Sequence, residues 1–188
     1  ALVPRPAATL VLLRDGAAGL EVLLMQRSKS SVFLGGAYVF PGGSLDAADE
    51  GDDDPLAPYR VAAVRECFEE SGVILLHEKN GSPISEKRAQ ALAHYRTRPF
   101  RELLEKEGLR VPHAEIAYYA HWITSPGRPR RFDTRFFAAL APQGQEGSHD
   151  RNEAVHQVWI TPGEALERGE RGEIDLVFAT RATLDDLK

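Results

Sequence analysis

The 188-residue chain has a single cysteine, Cys67, so no internal disulfide can form, and a reducing compartment such as the cytoplasm is expected. Long apolar runs are missing as well: Leu10-Val11-Leu12-Leu13 is too short for a signal-peptide core or a membrane span. There is no basic surplus. A net charge of −5 and a pI of about 5.7 leave no general attraction to nucleic acid or to an acidic membrane. A phosphate anion would therefore have to be drawn in by local cations. No repeat or low-complexity segment occurs, and the six histidines show no ligand spacing, so His121 and His156 read as strand residues rather than zinc ligands. The C-terminal Asp185-Asp186-Leu187-Lys188 is not a peroxisomal Ser-Lys-Leu address, and a start at Ala1 rather than Met reads as trimmed ends. With 43% hydrophobic residues, the chain can bury one good core, and a single domain over residues 1–188 is expected.

Residues 65–73, Arg65-Glu66-Cys67-Phe68-Glu69-Glu70-Ser71-Gly72-Val73, carry most of the chemistry. On a helix at about 100° per residue, Glu66, Glu69 and Glu70 fall on one face, and Val61, Val64, Cys67 and Phe68 fill the opposite one. Like charges at these spacings repel by about 0.2–0.5 kcal/mol per pair. They also precede Gly72, a helix stop, where the macrodipole disfavours anions. No Lys on that face offsets them. A hard divalent cation, Mg²⁺ or Mn²⁺, would reverse the sign of these terms. The alternative is a solvated acidic face.

Upstream stands Val39-Phe40-Pro41-Gly42-Gly43, an apolar strand end followed by a Pro-Gly turn. Gly43 leaves backbone without a side chain, where a ligand or metal can approach the carbonyl. Together with Leu45-Asp46-Ala47-Ala48-Asp49-Glu50, these motifs resemble the Nudix box, G-x5-E-x7-R-E-U-x-E-E-x-G-U with U aliphatic. Arg65, Glu66, Glu69, Glu70 and Gly72 match its second half at every fixed position. Two departures stand out. Cys67 occupies an aliphatic slot, where it is expected to pack in the core. Gly43 to Arg65 spans 22 positions where the pattern has 14, so the box, about 43–73, carries an insertion at about 50–58. Either Asp49 or Glu50 would then replace the first box glutamate.

Periodicity and turn residues predict strands at Ala7–Leu13, Glu21–Gln26, Ala37–Phe40, Val73–Leu76, Ile116–Thr124, Phe132–Leu140 and Val155–Ile160. Helices are expected at about Pro58–Ser71, Glu86–Tyr95, Pro99–Lys106, Pro162–Arg168 and Thr183–Leu187, with a helical insertion over about 85–108. Strands interleaved with helices imply a sheet covered on both faces, which fits the α/β/α sandwich with a mixed central sheet that the resemblance implies.

Cations suited to a phosphate are Arg27 at the end of the second strand and Arg128, Arg130 and Arg131 in the one strongly basic stretch. Arg135 instead suits a short-range pair with Asp133. The spread of motifs, including Thr124-Ser125-Pro126 and Arg131–Phe137, is similar to the peroxisomal coenzyme A diphosphatase-like branch of Nudix proteins.

That resemblance implies metal-assisted hydrolysis of a diphosphate, with coenzyme A or an acyl-coenzyme A as the first substrate class. ADP-ribose, a dinucleotide or NADH is the second, and a non-catalytic ligand sensor the third. Metal would sit on Glu66, Glu69, Glu70 and the Gly43 carbonyl, Arg65 would orient a glutamate, and Glu66, Glu70 or Glu153 would be the base. The partners expected are a small-molecule diphosphate, no nucleic acid and no membrane, with homodimerisation left open.

Overall fold

A computed structural model describes residues 2–30, 35–49, 53–148 and 154–188. Strands β1 (Arg5–Gly16) and β2 (Gly19–Arg27) form a hairpin that opens like a fork. Near the turn they pair directly, from Leu13↔Val22 to Gly16↔Gly19. Farther out, β3 (Tyr38–Val39) pairs with β2, and β4 (Gly42–Ser44) pairs with β1. The Pro41 turn thus wedges the two glycines into the middle of the sheet.

The outer edges are β6 (Phe132–Leu140), parallel to β1, then β5 (Ala117–Ile123), and on the other side β7 (Ala154–Ile160) against β2. The sheet is mixed. Alternation along β1 divides the core. Ala8, Leu10 and Leu12 face helix α1 (Ala57–Ser71), whose Val61, Val64, Cys67 and Phe68 pack on them. Val11 faces the opposite layer, where α4 (Pro162–Glu170) and α5 (Phe178–Leu187) bring Leu166 and Leu184. An α/β/α sandwich results, as expected. Cys67 is buried in the core, which pushes its thiol up to about 12.

Several elements differ from the expectation. Residues 73–76 are buried but form no strand. The Gln145 side chain takes the place of a neighbouring strand there: its Oε1 accepts from Ile74 N at 2.8 Å, and its Nε2 donates to Ile74 O at 3.2 Å. The Glu86–Tyr95 helix is two pieces, α2 (Glu86–Ala91) and a 3-10 turn at Ala93–Thr97, followed by α3 (Phe100–Glu107). The last helix starts at Phe178, five residues before Thr183. Among the described residues no helix is long and apolar enough to cross a membrane.

Candidate active site

Helix α1 ends as its sequence dictates: Gly72 takes φ 73° and its N–H returns to Phe68 O. The last two turns therefore hold the acidic face beside β4. Glu70 is buried, and its Oε2 accepts from Gly42 N at 3.1 Å. Gly43 faces Glu66 so closely that a Cβ on it would stand 2.4 Å from the Glu66 carboxyl carbon.

Arg65 organises the cluster. It donates to Asp49 through Nε and Nη2, at 2.8 and 2.9 Å, and through Nη1 to Glu66 at 2.8 Å and Glu69 at 3.3 Å; Nη2 also donates to Ser44 O. Burial disfavours the charge, but these carboxylates outweigh it and hold the guanidinium well above its ordinary pKa. A lysine could not reproduce this fork.

A second cation belongs to the site and was not anticipated. Arg96, from the 3-10 turn, donates to Glu69 O at 3.0 Å and Glu70 O at 2.9 Å, satisfying carbonyls that the helix end leaves open. The face that lacks a lysine is thus steadied by Arg65 from within the helix and by Arg96 from outside. Four carboxylates against two arginines still leave a surplus of negative charge. Glu69 registers it: burial first, then Glu66 and Asp49, raise its carboxyl to about 7 against the pull of Arg65.

Of the two candidates for the first box acid, Asp49 lies in this cluster. Its carboxylate is 2% exposed and also accepts from Asp46 N at 2.7 Å. Glu50 and Glu153 lie outside the described residues.

The glutamates open into a cleft of about 1270 Å³ that also takes in Arg27, Gly43, Arg128 and Arg130. Arg131 does not line it; its guanidinium donates to Thr124 O and Leu2 O instead. Arg135 pairs with Asp133, as expected, and contacts His121.

Glu66, Glu69, Glu70 and the Gly43 backbone are hard oxygen donors on one wall of this cleft, the set that suits Mg²⁺ or Mn²⁺. The missing Cβ at Gly43 keeps that wall open beside Glu66. Among the described residues, no three carboxylate, imidazole or thiol groups stand together as a ready-made metal site. The donors fit such a cation by chemistry and by side, with Arg65 holding their carboxylates in place.

Residues 53–179 match the NUDT19 Nudix domain family, and residues 3–96 match the NUDIX domain family. The chain belongs to the Nudix family. Within it, the NUDT19 Nudix domain is the branch it matches. The acyl-coenzyme A diphosphatase NUDT19 of Gallus gallus is 29% identical over 85% of this chain and 58% of its own length. Its Homo sapiens counterpart is 28% identical, over 80% and 56%. The chain spans about half the length of the curated relatives it matches. A crystal structure of a NUDIX hydrolase from Alicyclobacillus acidocaldarius superposes with a TM-score of 0.83 at 30% identity, covering 98% of this chain and 91% of that one.

Proposed function

We propose that the chain hydrolyses the diphosphate linkage of coenzyme A or an acyl-coenzyme A, with Mg²⁺ or Mn²⁺ held by Glu66, Glu69, Glu70 and the Gly43 carbonyl. The observation that carries this reading is that the acidic wall and the basic pair Arg128 and Arg130 share one cleft. An anion with two separated phosphate groups matches that polarity. The names of the NUDT19 relatives point to the same substrate class.

When bound, the cation supplies Lewis acidity, neutralising phosphate oxygens and making a water nucleophilic at neutral pH. The protein's own residues do the rest. Asp49 and Arg65 hold Glu66 and Glu69 in register, while Gly42 N–H fixes Glu70. Glu66, Glu70 or Glu153 takes the proton from the attacking water. Arg27 receives phosphate oxygens at the open end of β2. The Ala93–Thr97 turn gives the wall along which the pantetheine arm leaves, while Leu92 and Leu103 stay in the core.

A substrate panel with Mg²⁺, read as products by mass, tests the reading. Coenzyme A should yield 3′,5′-ADP and 4′-phosphopantetheine. Turnover of ADP-ribose, dinucleotides or NADH far above coenzyme A would replace it with the nucleoside-diphosphate reading.

A further inference from the structure

The end of the cleft remote from the glutamates is built differently from the rest. Across the sheet, Ser44, Ala7, Thr134 and Trp122 are register partners on four adjacent strands. Three strand steps separate Ser44 from Trp122, about 14 Å. Beside Trp122 stands Phe178, the first residue of α5, with ring centroids 5.5 Å apart and planes at 83°. Phe178 is 75% exposed, so it contributes little to the core; α5 is anchored through Thr180, Thr183 and Leu184. A large aromatic left open to water inside a cleft is a stacking surface waiting for a flat partner.

The arginines of the β5–β6 connection and of β6 itself divide into two pairs. Arg131 and Arg135 are tied to protein groups. Arg128 and Arg130 line the cleft, and among the described residues neither makes an ion pair or a hydrogen bond. They follow Trp122 closely in sequence, so aromatic and basic groups occupy the same end. Two further features favour an anion there. Val177 caps α5 with no side-chain hydrogen bond and no acid follows in the first turn, so the helix N–H groups stay open. Thr180, 2% exposed, lines the same cleft, and no described hydrogen bond uses its hydroxyl.

We propose that this end recognises a nucleotide carrying a second phosphate ester, with Phe178 stacking its base, Trp122 bracing that ring at a right angle, and Arg128 and Arg130 holding the ester phosphate. The proposal rests on the diphosphatase reading of the cleft and adds its specificity determinants. It also sets the substrate's direction: the diphosphate lies on the glutamates, the nucleoside reaches across the sheet, and the acyl arm leaves by the Ala93–Thr97 turn. An apolar arm lodged at the aromatic end would have no use for two arginines.

Isothermal titration of the intact chain in chelator separates binding from catalysis. The expected result is that 3′,5′-ADP binds at least tenfold more tightly than 5′-AMP. Phe178→Ala should weaken both by about fivefold or more, the smallest loss for one base–aromatic stack. The double variant Arg128→Gln, Arg130→Gln should weaken 3′,5′-ADP and leave 5′-AMP within about twofold. Equal affinities for the two nucleotides, indifference to Phe178→Ala, or displacement of nucleotide by 4′-phosphopantetheine would overturn the proposal. Coenzyme A hydrolysis alongside unaltered nucleotide affinities in the variants would remove this inference and leave the diphosphatase reading. Phe178-dependent nucleotide binding without hydrolysis would do the reverse.

Discussion

Asp49 accepts two parallel hydrogen bonds from Arg65, at 2.8 and 2.9 Å, with its carboxylate 2% exposed. This pair fixes the guanidinium so that its remaining edge meets Glu66 and Glu69. Removing Asp49 takes away the two-pronged partner and leaves the guanidinium to Glu66, Glu69 and Ser44 O. Asp49→Ala should therefore lower unfolding free energy by about 1.5–3 kcal/mol, the scale of lost hydrogen bonds to a charged group, measured by urea denaturation in chelator. A loss below about 1 kcal/mol would mean that the pair behaves like a surface ion pair.

Neighbouring glycines should fail in different ways. A Cβ on Gly42 would stand 2.5 Å from Ala8 O, a backbone atom that cannot yield cheaply. The three atoms nearest a Cβ on Gly43 all belong to the Glu66 carboxyl, the far end of a flexible side chain. Gly42→Ala should lower melting temperature by several degrees, roughly the effect of 1–3 kcal/mol of overpacking. Gly43→Ala should melt near wild type while losing about tenfold or more in activity, because Glu66 is displaced. The opposite ranking in thermal melts would contradict the placement of β4.

Much of this was legible in the sequence, and what was missed has physical causes. Strand β6 spans the predicted Phe132–Leu140, a run rich in strand formers such as Phe132, Thr134, Phe136 and Phe137, and α1 is framed by Pro58 and Gly72. Strand β4 was not foreseen: Gly42-Gly43-Ser44 has no strand propensity and pairs only because it fills the fork of the hairpin. The Val73–Leu76 segment has the composition of a strand, but a glutamine amide from residue 145 takes its backbone bonds. Arg96 lies 26 residues beyond Glu70 in a segment that reads as a helix, and no local pattern announces a cap that arrives through tertiary folding. The acidic face was readable because a helix fixes which residues share a side; its partners were not.

Glu69 gives a pH test in the metal-free protein. Its folded pKa of about 7 lies above the ordinary carboxylate value of 4.5, so the folded state holds the proton more tightly. That contribution is complete below about 4.5 and is lost as pH rises through 7. Glu69→Gln cannot titrate, so its melting temperature relative to wild type, in chelator, should climb between about pH 5 and pH 8. A difference independent of pH would mean that Glu69 ionises normally.

Cation binding should reverse this penalty. Mg²⁺ at about a hundredfold over its Kd stabilises a native-state site by about 2.7 kcal/mol. Melting temperature should rise accordingly in wild type and far less in the Glu69→Gln, Glu70→Gln double variant. In chelator the variant should melt no lower than wild type, since the amides keep acceptors for Arg65 and Gly42 N–H while removing repulsion. An equal Mg²⁺ response in both proteins would place the cation elsewhere.

Cleavage of the coenzyme A diphosphate at the carboxylate wall of α1 is tested by comparing wild type with Glu70→Gln on that substrate in Mg²⁺, with products identified by mass. Wild type should release 3′,5′-ADP and 4′-phosphopantetheine, and the variant should do so at least about a hundredfold more slowly with its melting temperature intact. Undiminished cleavage by the folded variant would contradict the assignment of this wall as the active site.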